Sequence, residues 1–248
     1  MPVPSPADPV LAPPVARDAA GQFGPGAYAD WRGTSLGSIT EAIEQRLILR
    51  LAGAVDGCTV LDVGCGDGAL ASAFWQAGAA RVVGCDIDAQ MIARANDRAA
   101  RQGAVIGYAT ADAARLPFRT ENFDIVTIIT VLAFLPRPER ALREIARVLK
   151  PGGRLVIGDL GKWSLWAASR RLRGWLRLAP MWNAARFRTA GELRALIEAV
   201  GLRVEHISGS VYYPRCRSIA RLVAPIDPIL GELTTFGAAF LATLASKA

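Results

Sequence analysis

Residues 60–74 read VLDVGCGDGALASAF: β-forming residues, an acid, glycines at alternate positions and then a helical pattern. Gly64, Gly66 and Ala69 satisfy the loose GxGxxG/A spacing of a dinucleotide turn, and Asp86 follows Gly66 at about the separation expected of a ribose-binding acid. Asp67 argues for a different ligand. It puts a carboxylate at the head of a helix, where a pyrophosphate would meet exposed N–H groups and the positive end of the helix dipole, and a second anion there is repelled. S-adenosylmethionine suits such a turn better. It carries an adenosine and no phosphate, and it brings a sulfonium and an α-ammonium that carboxylates attract.

The elements that must hold this turn follow from the pattern around it. ITEAIEQRLILRL (39–51) has helical spacing, with Ser38 or Thr40 as cap and Gly53 as stop. CTVLDV (58–63) reads as a buried strand, and the glycine turn feeds a helix from Ala69 to Gln76. The cycle repeats with strand 81–86, a helix from Asp88 to Arg101 closed by Gly103, and strands 105–111 and 123–129. A helix follows Pro138, and the strand RLVIGDL comes after Pro151-Gly152-Gly153. Alternation with short links predicts an α/β fold, a doubly wound and mostly parallel sheet. Thr189 is expected to cap AGELRALIEAV, with LRVEHIS as a strand beyond it; TTFGAAFLATLAS fits strand or helix equally. His206, the sole histidine, alternates with Leu202 and Val204 and reads as a satisfied, half-buried imidazole rather than a base.

Charge is unevenly placed. The chain of 248 residues has a net charge of +7, and residues 160–191 hold Lys162, Arg170, Arg171, Arg173, Arg177, Arg186 and Arg188 with no acid. The remaining 22 basic residues equal the 22 acidic ones, so the excess is local. Within 162–179, Leu165, Ala168, Leu172, Trp175 and Leu176 fall on one helical face and Arg170, Arg173 and Arg177 on another, a basic amphipathic helix inserted after strand five. Charges or prolines break every apolar run before the ~18 residues a spanning helix needs. Cys58, Cys65, Cys85 and Cys216 form no CxxC pair, which argues against a disulfide framework or a metal cluster and for reduced thiols in a cytoplasm.

VLDVGCGDG, VVGCDIDAQMIARA, ATADAARLPF, FDIVTIITVLAFL and ALREIARVLKPGGRLVI, in that order over about 58–158, resemble the successive motifs of class I S-adenosylmethionine-dependent methyltransferases of the small-molecule, type 11 kind. The resemblance implies a Rossmann-like single domain over 27–248, with a helical insert at about 162–188 acting as a lid, preceded by a disordered Pro-rich extension at 1–26. It implies S-adenosyl-L-methionine as cofactor and S-adenosyl-L-homocysteine as product. Gly64, Gly66 and Gly68 would let the ligand approach the backbone, with Cys65 and Asp67 inside the same turn. Asp62 would meet the amino-acid end of the ligand, and Asp86 both ribose hydroxyls. Ile87 and Met91 would flank the adenine, Asp112 and Ala113 would read its edge, and Ile129 would close the methionine side. These positions fall at the carboxyl ends of strands, where open α/β sheets bind ligands.

Methyl transfer from a sulfonium needs mainly alignment, so no catalytic residue is assigned; Asp159, Tyr28, Tyr212 and Tyr213 are the candidate bases by position. Strand four is followed by neither an Asn/Asp-Pro-Pro-aromatic signature nor a Pro-Cys dipeptide, so nucleic-acid bases are disfavoured as acceptors. The expected acceptor is a small hydrophobic or acidic metabolite. RNA or protein methylation, a binding protein without turnover, and a nicotinamide oxidoreductase are the alternatives. The insert, with Trp163, Trp166, Trp175 and Trp182, would serve as a lid, as a peripheral contact with acidic lipid, or as a partner surface; the plain alternative is an arginine-covered helix packed by its tryptophans.

Overall fold

A computed structural model describes residues 34–248. The expected extension at 1–26 and the candidate Tyr28 lie outside the described residues. Seven strands form one sheet in the order β3-β2-β1-β4-β5-β7-β6: β1 (Thr59–Val63), β2 (Arg81–Asp86), β3 (Ile106–Thr110), β4 (Phe123–Ile129), β5 (Leu149–Leu160), β6 (Leu202–Ser210) and β7 (Phe240–Lys247). The first five pair in parallel, and β7 runs antiparallel between β5 and β6. This is the Rossmann-like arrangement expected. The open tail is a strand because it fills the slot between β5 and β6, and β5 starts at Leu149, before the Pro-Gly-Gly turn rather than after it.

Side chains alternate across the sheet and feed two cores. On one face Val60, Val82, Ile125 and Val156 pack with Ile43 and Leu47 of α1 (Ser35–Ala52) and Phe74 of α2 (Ala69–Gln76). On the other, Leu61, Val126 and Leu155 pack with Leu142 and Ile145 of α4 (Pro138–Val148) and Leu193 and Ile197 of α6 (Ala190–Glu198). α3 (Ala89–Gln102) lies along β2 and β3; Asp88 caps it by accepting from Gln90 N–H at 2.8 Å, and Gly103 closes it at φ +62°.

Several boundaries differ from expectation. α1 is capped by Thr34, which accepts from Gly37 N–H at 3.0 Å; Thr40 lies inside the helix and its hydroxyl meets Tyr213 Oη at 3.0 Å. Thr189 does cap α6, through a reciprocal box with Glu192. Two short helices absent from the sequence reading follow β6: α7 (Arg217–Val223) and α8 (Asp227–Leu233). Their anchor is Asp227, buried, whose carboxylate accepts from Ser210 Oγ (2.6 Å), Val211 N–H and Tyr212 N–H (both 3.1 Å) and so satisfies a corner where Val211 takes a left-handed backbone. His206 is partly exposed, with Glu232 Oε2 at 3.3 Å from Nε2.

The insert leaves and rejoins the sheet at one point. Lys162 N–H donates to Arg188 O, and Arg188 N–H to Leu160 O, both at 2.9 Å. Its helix, α5 (Leu165–Trp175), is shorter than the sequence suggests, and its apolar stripe faces outward. Trp166, Ala167 and Gly174 are buried, whereas Leu165, Leu172, Trp175 and Leu176 face solvent. Packing by tryptophans holds for Trp166 alone on this helix, whose indole N–H reaches Tyr213 O at 2.7 Å.

Candidate functional site

The glycine turn sits at the carboxyl end of β1 and is tied to β2, with Gly64 N–H and Cys65 N–H both donating to Cys85 O at 2.7 and 3.0 Å. Gly64, Gly66 and Gly68 all have left-handed backbones, at φ +72°, +53° and +77°. Their side-chain spaces differ. A Cβ on Gly64 would strike Val131, and one on Gly68 would strike the Tyr108 hydroxyl, so these two glycines are required by the protein's own packing. Gly66 alone opens onto free space, and it marks where a ligand can lie against the backbone.

Two acids border that opening. Asp86 closes β2, with Oδ2 accepting from Gly66 N–H at 2.9 Å and Oδ1 from Asp88 N–H at 3.0 Å, so both oxygens are aimed by the turn and by the start of α3. Asp62 is 2% exposed within β1. Its Oδ1 accepts from Thr127 Oγ1 at 2.7 Å, the residue beside it in the parallel register of β4. Burial pushes the Asp62 carboxyl from the ordinary 3.8 up to about 7, the Thr127 bond opposing and the nearby Asp86 charge adding to the rise.

Asp67 is engaged within the protein. Its Oδ2 receives Arg98 Nη2 at 2.6 Å, and Arg98 Nε donates to its carbonyl at 2.9 Å, which ties the turn to α3. The carboxylate charge is thereby balanced within the protein. Cys65 is buried against the Gly84 backbone, and burial pushes its thiol upward; that of Cys85 goes up to about 12. Both behave as packed side chains.

The remaining expected residues ring the same edge. Ile87 follows Asp86 and is 58% exposed, an apolar side chain with one face open. Met91 is partly buried on the first turn of α3, and Ile129 partly buried at the end of β4. Asp112 is exposed beyond β3 and accepts from Ala114 N–H at 2.8 Å, while the Ala113 side chain is buried in the core. The sequence reading missed Thr127, Arg98, Val131 and Tyr108. Thr127 had a visible signal, being the one hydroxyl in the apolar run FDIVTII.

The three candidate bases among the described residues are committed elsewhere. Asp159 is fully buried at the end of β5, with Arg188 Nη1 at 2.6 Å from Oδ2 and Leu160 N–H at 2.8 Å from Oδ1. Burial raises its carboxyl above the usual range and the Arg188 charge opposes that. Tyr213 is buried against Thr40, and the Tyr212 hydroxyl donates to Thr234 O; burial pushes both phenols up to about 12, away from use as a base near neutrality.

The pattern of the methyltransferase domain family matches residues 61–157, which hold the turn, Asp62, Asp86 and β4. The chain is 38% identical over 124 residues to the 27-O-demethylrifamycin SV methyltransferase of Amycolatopsis mediterranei, a match covering 48% of this chain and 46% of that protein. It is 32% identical over 184 residues to the ubiquinone biosynthesis O-methyltransferase of Coxiella burnetii, covering 69% of this chain and 72% of that protein. Magnesium protoporphyrin IX methyltransferase from Synechocystis, solved with bound S-adenosylhomocysteine, has the same fold, with a TM-score of 0.67 at 19% identity over 94% of this chain and 98% of that one. The order of the strands, the glycine turn at the end of the first and the extent of the ubiquinone-enzyme match converge on one conclusion: this chain belongs to the class I S-adenosylmethionine-dependent methyltransferases.

Proposed function

We propose that this methyltransferase acts on a small hydrophobic or acidic acceptor held beneath its insert. The observation that carries the reading is where the insert lands. Arg186 N–H donates to Ala133 O at 2.8 Å, and the Trp182 ring lies 6.1 Å from that of Phe134, in the turn Leu132–Phe134 beside Val131, the residue that faces Gly64. A cavity of about 330 Å³ opens within the insert itself, lined by Lys162, Arg171, Trp182 and Phe187 among others, and Trp182 is the lining residue whose ring also meets Phe134. Cations beside aromatic rings suit an acceptor that is both flat and anionic. The relatives' names, which print 27-O-demethylrifamycin SV and ubiquinone biosynthesis, support small acceptors as well.

S-adenosylmethionine supplies a methyl group on a cationic sulfur. The chain's part is placement: Asp86 would hold the ribose, Asp62 would oppose the positive charge, and Ile87 and Met91 would flank the base. Alignment of this kind is worth ~7–11 kcal/mol, which lets the reaction proceed without a dedicated base. Membership of the family sets aside the nicotinamide oxidoreductase reading; methylation of RNA or protein is the alternative outcome of an acceptor screen.

Calorimetric titration tests the cofactor map. Asp86→Ala is expected to weaken S-adenosylhomocysteine binding by about 1–3 kcal/mol, since an ionised acceptor that also holds Gly66 N–H is lost. Unchanged affinity refutes the ribose assignment. For the acceptor, Trp182→Ala should raise the KM for whichever acceptor a turnover screen finds, by about tenfold for a lost aromatic contact, with cofactor affinity unmoved. An acceptor KM equal to that of the parent enzyme removes the insert from the acceptor site.

A further inference from the structure

Helix α5 is held along a single edge. Trp166 and Ala167 are buried, and Arg170 is stacked between the Trp166 ring (5.1 Å) and the Trp182 ring (4.5 Å). Gly174 abuts Asn183, whose Nδ2 donates to its carbonyl at 3.2 Å. At 3.6 residues per turn these four positions share one side, and the opposite side is a stripe of Leu165, Ala168, Leu172, Trp175 and Leu176. That stripe is in solvent: Leu165 is 66%, Leu172 54% and Trp175 77% exposed. At the foot of the helix, exposed Trp163 and exposed Phe236 line one cavity, extending the apolar surface onto the segment before β7.

The cations are placed around this stripe. Arg173 flanks it on one side and Arg171 on the other, both exposed. Arg177, also exposed, ends the helix in a left-handed backbone at φ +57°, a conformation that favours glycine, with Leu178 N–H returning to Arg173 O at 2.9 Å. No acid occurs between residues 160 and 191. An apolar ridge between arginines, without one carboxylate, matches a surface that offers anions at its rim and hydrocarbon beneath. A second copy would bring arginine against arginine and is disfavoured. No described helix is long and apolar enough to cross a membrane, so contact through this face would be peripheral.

We propose that the outward face of α5 docks onto an anionic lipid bilayer, with Leu165, Leu172, Trp175 and Leu176 entering the interfacial region and Arg173 and Arg177 meeting lipid phosphates. Docking is separate from methyl transfer, so its test does not depend on knowing the acceptor.

The full chain is sedimented with vesicles of phosphatidylcholine alone and of phosphatidylcholine mixed with phosphatidylglycerol. Retention on the mixed vesicles only, weakening as salt is raised, is expected. Arg173→Ala with Arg177→Ala should lower vesicle affinity by about fivefold for each arginine, and Leu172→Ser with Trp175→Ser should abolish retention, while S-adenosylhomocysteine affinity stays at the parent value. Should either pair disturb folding, tryptophan quenching of the unmodified protein by brominated phosphatidylglycerol gives the same answer. No retention at low salt, equal retention on neutral vesicles, or a concentration-dependent dimer that Trp175→Ser dissolves would each overturn the proposal.

Discussion

Replacing Arg188 by Ala is expected to lower the unfolding free energy by about 3–5 kcal/mol, the cost of leaving a buried charge without its partner. Asp159 is fully buried, and its Oδ2 has Arg188 Nη1 at 2.6 Å as its charged contact. The same guanidinium donates to Leu132 O at 3.2 Å, so the variant also strips a carbonyl in the turn after β4. Without Arg188, the carboxyl of Asp159 takes up a proton instead. Its folded pKa is already raised above the unfolded value by burial, and loss of the arginine raises it further. A raised acid is compatible with folding at low pH and costs stability as pH rises, so the deficit of Arg188→Ala should be smaller in acid than at neutral pH. Urea unfolding at two pH values measures this. Asp159→Asn with Arg188→Met should recover most of the loss, because two uncharged side chains of similar size leave no orphan charge. A deficit of under about 1 kcal/mol, independent of pH, means that the pair is solvated and that this account of β5 is wrong.

Asp62→Asn should do the reverse to stability and harm function. In the unfolded chain Asp62 ionises near 3.8, and in the fold at about 7. Between those values the folded state holds a proton that the unfolded state has lost, so stability falls as pH rises through that window and is level above it. Asparagine has no proton to lose. The variant is therefore expected to be more stable than the parent at pH 8, by a few kcal/mol at most, and to show a flatter pH dependence. Its affinity for S-adenosylmethionine should drop, by about 1–3 kcal/mol, because the carboxylate proposed to oppose the ligand's positive charge is gone. In the parent protein, binding near pH 6 should release a proton as the ligand's positive charge favours the ionised acid, which calorimetry in buffers of different ionisation enthalpy detects. An Asp62→Asn protein that is less stable at pH 8 and binds as before removes Asp62 from the cofactor site.

Strands β2 and β4 and helix α2 match the sequence reading residue for residue, because strands covered on both faces are continuous apolar runs and the glycine turn sets where α2 can begin. The site was readable to the extent that its parts are local. The glycines alternate within one turn, and Asp86 ends a strand. What escaped depends on contacts between distant segments. Gly64 answers to Val131 and Gly68 to Tyr108; Asp67 is neutralised from α3 by Arg98, and Asp159 is paired across the insert by Arg188. For α5, periodicity located the apolar stripe correctly and could not say which way it points. The inward side was chosen by one indole that reaches a carbonyl at residue 213 and by an arginine held between two rings. Helices α7 and α8 are short and leave Leu222 and Leu233 largely exposed, so they carry little periodic signal.

The placement of β7 bears on how the chain assembles during synthesis. β6 has no seat of its own, since among the described residues its only strand pairing is with β7, which follows it and occupies the position beside β5. The five parallel strands can zip together as they leave the ribosome, but β6 must wait unpaired, with its edge open, until some thirty later residues have emerged. For that interval the half-built protein carries a loose strand that could pair with a neighbouring nascent chain.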